Sequence, residues 1–220
     1  RSGTSTNMNM NEVIANLSST DELKIHPNDD VNMGQSSNDV IPSAISVSAS
    51  LMVSDQLLKS LDHLQDVIET KATSLSEVVK TGRTHLMDAM PLTFGQELNA
   101  WASQIKDIKS QFVAVLPNLQ KLALGGTAVG TGVNAHPQMS SKATQILNEK
   151  TGMSFEPSVD RFRAISSQDV SLDLSAKTRT LAVMLTKISN DLRWMNSGPL
   201  AGLGEIKLPR SEERRVGKEC

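Results

Sequence analysis

Residues 95–121, GQELNAWASQIKDIKSQFVAVLPNLQK, decide the fold class. Leu98, Trp101, Ile105, Ile108, Phe112 and Val115 recur at steps of three and four, which puts them on one face of an α-helix. Two other segments share the period. From about Ile41 to Leu75, a stripe is formed by Leu57, Leu61, Leu64 and Ile68. From about 166 to 195, Val170, Leu174, Leu181, Leu185, Ile188 and Leu192 form another. Each predicted helix exceeds the usual three turns, and long helices with one apolar stripe pack together in bundles. A shorter helix is predicted from about Pro137 to Lys150, with Gly152 as its stop. No stretch alternates convincingly with a period of two. The expected fold is all-α, a long-helix bundle.

Composition agrees. The 220 residues are 38% hydrophobic and 21% charged, an ordinary globular balance with enough apolar side chains for a core. Aromatic residues make up only 3%, with no Tyr, so the core must be Leu, Ile, Val, Met and Ala. That mixture suits helices better than sheets. A net charge of -2 leaves no electrostatic footprint for nucleic acid or an anionic membrane. No apolar run approaches the roughly 18 residues that cross a bilayer. A soluble chain with no nucleic-acid or membrane partner is expected.

The ends carry less information. The chain opens RSGTSTNMNMNEVIAN without an initiator Met, so signal-peptide logic does not apply. Arg210–Cys220 reads as the translation of a sequencing-library adapter and is set aside from fold reasoning. With it goes Cys220, the one cysteine, and any argument from thiol chemistry.

Polar, turn-rich stretches at 26–39, 81–93, 125–137 and 197–205 separate the helices, and such loops are where sites are built. Gly130–Ala135, GTGVNA, fits a dinucleotide-binding pattern but lacks the strand before it and the βαβ setting, which argues against a nucleotide. Ser36–Asp39, SSND, reads either as a helix cap or as hydroxyls, an amide and a helix N-terminus that bind a carboxylate. Asn7–Asn11, NMNMN, reads as a short strand or as a helix with an amide face, and offers neutral donors for an anion or a plain polar turn. His26, with Pro27, Asn28 and two aspartates after it, reads as a surface turn, since the spacing is too tight to wrap a metal ion. His85, in TGRTHLMDAMP, is the side-chain type whose chemistry suits proton transfer near neutrality. Locally, a catalytic and a structural role are equally open to it.

Read in order, the blocks are far more specific. SGTSTNMNMNEVIAN, HPNDDVNMGQSSNDV, GRTHLMDAMPLTFGQE, LALGGTAVGTGVNAHP and NDLRWMNSGPLAGLGEI resemble the successive signatures of class II fumarase over essentially all of Ser2–Pro209. These are the iron-free fumarate hydratases of the fumarase/aspartase superfamily. SSND, His85 and the NMNMN run favour fumarase over aspartase within it.

The resemblance implies reversible hydration of fumarate to L-malate, a tricarboxylic acid cycle step, with neither metal nor organic cofactor. It implies a homotetramer whose active sites draw loops from three subunits. Residues 1–25 would end an N-terminal domain, and 26–209 would form a truncated central bundle. His85 would be the catalytic histidine. Ser2, Gly3, Thr4, Ser36, Ser37, Asn38 and Thr84 would bind the substrate carboxylates. His26, Pro27, Asn28 and Asp29 would form a second dicarboxylate site. The compartment would be cytoplasmic, or mitochondrial in a eukaryote.

Three positions depart from the pattern: Leu23 where Arg is common, Met87 where Gln is common, and Arg1 where Gly is usual. The family's catalytic serine, with a lysine and an asparagine, belongs to a GSSxMPGKVNP loop expected just beyond Pro209, where the adapter-like tail takes over. The chain as given is therefore expected to be inactive. An ammonia lyase of the same superfamily and a non-catalytic oligomerisation module are the alternatives.

Overall fold

A computed structural model describes residues 2–209, without the side chain of Ser2. Arg1 and Arg210–Cys220 lie outside the described residues, as does any contact of the Ser2 side chain. The first helix, α1, covers Ser2–Ser18, and a π-helical turn follows at Pro27–Val31. Helices α2 (Ser37–Met52) and α3 (Leu58–Ser74) run on from each other through a second π-helical turn, Val53–Leu57. A hairpin of β1 (Val79–Thr84) and β2 (Met87–Thr93) leads into α4 (Phe94–Leu119). Beyond it come β3 (Lys121–Leu122), α5 (Met139–Thr151), β4 (Glu156–Pro157), α6 (Arg161–Ser166) and α7 (Asp169–Met195). Strands β3 and β4 pair in parallel over two residues.

The three long helices are those the apolar stripes predict, with shifted starts. Capping chemistry explains the starts of two of them. Ser36 accepts a hydrogen bond from the Asn38 N–H, and the Asp39 carboxylate accepts one from the Ser36 N–H, so α2 begins at Ser37 rather than Ile41. Thr93 and Gln96 make the same reciprocal pair ahead of α4. Gly152 ends α5 in the left-handed region at φ 69°, as a C-terminal stop requires.

Helices α3 and α4 pack antiparallel. Lys109 of α4 pairs with Asp62 of α3, while Gly95 at the start of α4 lies against Ala72 near the end of α3. The α4 stripe is the core: Ile105, Phe112 and Leu119 are 0% exposed, and Trp101, Ile108 and Val115 are buried with them. The continuous helix Ser37–Ser74 meets the length and mean hydropathy of a bilayer-crossing helix, although it contains no unbroken apolar run of that length. Serines recur along its apolar part, and Asp39 and Ser50 are fully buried within it.

The described residues divide into two compact units, one up to Lys177 and one from Thr178. In the second, Leu181, Ile188 and Met195 are buried at seven-residue spacing. The Met195 carbonyl accepts from Glu205 N at 2.8 Å and Ile206 N at 3.3 Å, folding the following segment back on the end of α7.

The hairpin corrects the reading of 81–93 as a polar loop. A half-buried strand shows alternation because one face is apolar, but β2 is exposed along most of its length. Without a buried face there is no period of two. Lys80 ties the hairpin down: its side chain is only 6% exposed, its Nζ lies 2.6 Å from Glu97 Oε2 and 4.9 Å from the centre of the Phe94 ring. The register slips between Thr81 and Arg83, and Gly82 sits in that bulge. A Cβ on Gly82 would collide with the Met90 carbonyl oxygen.

Two outcomes follow from this packing. Phe112→Ala should cost about 3–5 kcal/mol, because it empties a fully enclosed ring site; denaturant unfolding of the chain measures it, and a loss under about 1 kcal/mol would contradict the core assignment. Gly82→Ala should speed amide exchange across the hairpin by about tenfold or more while α4 stays protected. Unchanged hairpin protection would refute the close approach.

Candidate functional site

Gly3 and Thr4 from α1 meet Ser37 and Asn38 from the first turn of α2 in a cleft of about 480 Å³. Ile41, Pro42 and Ile45 form its apolar wall, and Ile165 and Gln168 close it from the α6–α7 junction. None of these lining residues carries a formal charge. Ile165 and Gln168 carry no local sequence signal of a site, because only the fold brings their segment to α2. Ser36 does not line the cleft; its hydroxyl accepts from the Asn38 N–H and caps the helix.

The NMNMN run is a helix with an amide face, not a strand or a polar turn. Of its three asparagines, Asn7 and Asn11, one turn apart, are 4% exposed. Asn7 Nδ2 donates to Asn32 Oδ1 at 3.2 Å and to Ser37 Oγ at 3.1 Å; Asn11 Nδ2 donates to Asn32 Oδ1 at 3.1 Å. An oxygen that accepts from Asn7 keeps its own hydrogen, so Ser37 retains an O–H that can donate. Asn38 Nδ2 donates to the Ala128 carbonyl at 2.8 Å, which fixes its amide plane.

The structure puts Thr84 and His85 elsewhere. They sit at the hairpin tip, beyond the N-terminal end of α4, whereas the cleft lies toward the other end of that helix, where the Gly125–Ala128 segment meets α2. At 1.5 Å per residue, the 26 residues of α4 span about 39 Å. Within one chain, His85 and Asn38 do not share a site. His85 (φ 53°) and Leu86 (φ 63°) both lie in the left-handed region, as a two-residue primed turn requires. A bulky leucine rarely adopts it, and strain of that kind concentrates at functional positions. The tip is also apolar: Leu86 is 74%, Met87 70% and Met90 80% exposed.

His26, Pro27, Asn28 and Asp29 remain together as the cap and first turn of the π-helix at Pro27–Val31. His26 Nδ1 accepts from the Asp29 N–H at 3.2 Å, and the His26 N–H donates to Asp30 Oδ2 at 2.7 Å. His26 Nδ1 also lies 3.2 Å from Asp29 Oδ2. Among the described residues, no group of His, Cys, Asp and Glu is arranged to hold a metal.

A second, smaller hollow of about 100 Å³ shares Pro42 and Gln168 with the cleft and contains Arg163 and Asp169. Arg163 Nη2 donates to Asp169 Oδ2 at 2.7 Å. That hydrogen bond lowers the Asp169 pKa from its ordinary value and raises that of Arg163.

This arrangement has close counterparts. The class II fumarate hydratase 2 of Pseudomonas aeruginosa is 56% identical over 209 residues, covering 94% of this chain and 45% of the relative. The class II fumarate hydratase of Xylella fastidiosa strain Temecula1 is 54% identical, covering 94% of this chain and 44% of the relative. Among solved structures, the class II fumarase of Schistosoma mansoni superposes with a TM-score of 0.90 at 37% identity, over 96% of this chain and 49% of that one. The fumarate lyase:delta crystallin of Brucella melitensis gives 0.88 at 38% identity, over 98% and 49%. The chain spans about half the length of the relatives it matches. A family model described as lyase matches residues 1–213, nearly the whole sequence: this chain belongs to the lyase family.

Proposed function

We propose that the protein carrying this chain is a fumarate hydratase that interconverts fumarate and L-malate. The observation that carries the reading is the separation of two parts: an uncharged, hydroxyl- and amide-lined cleft at one end of α4, and a strained, exposed histidine at the other. The relatives named above as fumarate hydratases support the choice of substrate.

In the malate direction a base removes the proton next to one carboxylate, the hydroxyl leaves with a second proton as water, and a carbon–carbon double bond forms. The intermediate is an aci-carboxylate with one more negative charge than malate. Fixed neutral donors stabilise charge that develops only on the way to it, without binding the ground state too tightly. Thr4, Ser37 and Asn38 fill that role in the cleft, with Gly3 giving the backbone close access. Ser36 holds the turn that presents Ser37 and Asn38. Thr84 is the carboxylate ligand carried by the hairpin, and His85 moves a proton through a water or the departing hydroxyl.

One chain does not bring these parts together, so the reading includes a homotetramer in which one copy's hairpin enters the neighbourhood of another's cleft. The serine of a GSSxMPGKVNP segment completes the chemistry; no such segment occurs in residues 1–220. The His26–Asp29 turn is the second dicarboxylate position. The working compartment is the cytoplasm or the mitochondrial matrix.

The full-length protein should form L-malate from fumarate with no ammonia present; consumption of fumarate only when ammonia is supplied would identify an ammonia lyase instead. His85→Asn should lower turnover by about 10²–10⁴ while the oligomer mass by light scattering is unchanged. Near-normal turnover in that variant would remove His85 from the mechanism.

A further inference from the structure

We propose that Asp39 is a positioning residue for the dicarboxylate cleft, a role that rests on the fumarate hydratase reading. Asp39 is fully buried, 0% exposed, at the first turn of α2. Its Oδ1 accepts from Ser36 N at 2.9 Å, and its Oδ2 accepts from Gly125 N at 2.9 Å and Thr127 N at 2.8 Å. A carboxylate is costly to bury unless fixed donors oppose its charge. Here three backbone N–H groups do so.

A helix cap needs only the first of these bonds. The other two reach 86 and 88 residues along the chain, to the glycine-rich turn after α4. Asn38 repeats the link through its bond to the Ala128 carbonyl. Segment 36–39 is thus held to segment 125–128 by three hydrogen bonds. Ser37 and Asn38, which face the cleft, lie inside the clamped stretch.

The turn is shaped to meet the carboxylate. Gly125 has φ +89°, and a Cβ there would stand 2.8 Å from the Ser140 Cβ. Thr127 is left-handed at φ 56°, uncommon for a β-branched residue, and its buried hydroxyl has no hydrogen-bond partner. Such a turn persists only where its surroundings over-determine it. The convergence of two of its N–H groups on one carboxylate supplies that constraint.

Asn at position 39 keeps the shape but offers one acceptor oxygen and one NH2 group, so at least one backbone N–H faces another donor. It also removes a negative charge beside a site for a dianion. The alternatives therefore differ in sign. A charge that merely opposes the substrate would give a lower KM when removed. A residue needed only for folding would lower the active fraction and leave KM alone. A positioning residue raises KM.

The experiment is fumarate hydration by the full-length protein with Asp39→Asn and, from the other side of the clamp, Gly125→Ala. Each should raise KM by about tenfold or more, the equivalent of roughly 1.4 kcal/mol. An unchanged or lowered KM in either soluble variant overturns the proposal. KM does not depend on how much of the enzyme folds. Amide exchange gives a readout free of the reaction: Gly125 and Thr127 N–H should be protected in the wild type, and in Asp39→Asn should exchange about tenfold faster with α4 unaffected. Absence of that difference overturns the clamp whether or not fumarate is the substrate, whereas a wild type that leaves fumarate untouched overturns the reaction alone.

Discussion

The antiparallel packing of α3 on α4 sets the distance between the hairpin before α4 and the turn after it. Each fully buried apolar side chain along α4 contributes on the order of 1.5–3 kcal/mol, and Ile105, Phe112 and Leu119 are completely enclosed. The helix is consequently a rigid spacer. The Lys80–Glu97 pair fixes the hairpin at its start, and the Asp39 carboxylate fixes the turn that follows its end. Both anchors are buried or nearly so, and both involve charge. An exposed ion pair such as Arg163–Asp169 is screened by water and holds little by comparison.

The helices were legible because their apolar residues face a core, and a core imposes its period on the sequence. Trp101 through Val115 are buried at the spacing that predicted them. Where no core lies behind an element the signal fades. Strand β2 packs almost nothing on either face, so MDAMPLT reads as a loop. Its turn residues, His85 and Leu86, are not the Asn-Gly or Asp-Gly pair that announces a hairpin. The NMNMN run leaves strand and helix both open for the opposite reason. Its alternation suggests two faces, but the helix selects Asn7 and Asn11 and buries both.

Site legibility divides along the same line. The five signature blocks give residue identities, and Gly3, Thr4, Ser37 and Asn38 do converge on one cleft. Spacing along the chain cannot say that Thr84 and His85 lie a helix length away, because that depends on how α3 turns back into α4. Nor does SSND distinguish a cap from a ligand site. The structure shows the cap: Ser36 and Asp39 build the turn, and their neighbours Ser37 and Asn38 line the cleft.

The separation has a chemical rationale in the proposed reaction. A cleft without formal charge binds a dicarboxylate weakly in the ground state and reserves its dipoles for the charge that develops later. Proton transfer needs a group whose pKa lies near neutrality. The histidine tip carries Leu86, Met87 and Met90, exposed apolar surface that costs free energy in water and gains it when covered. In the proposed assembly, covering that tip and delivering His85 are one event, so the apolar contacts that drive association also bring the proton-transfer group to the uncharged cleft.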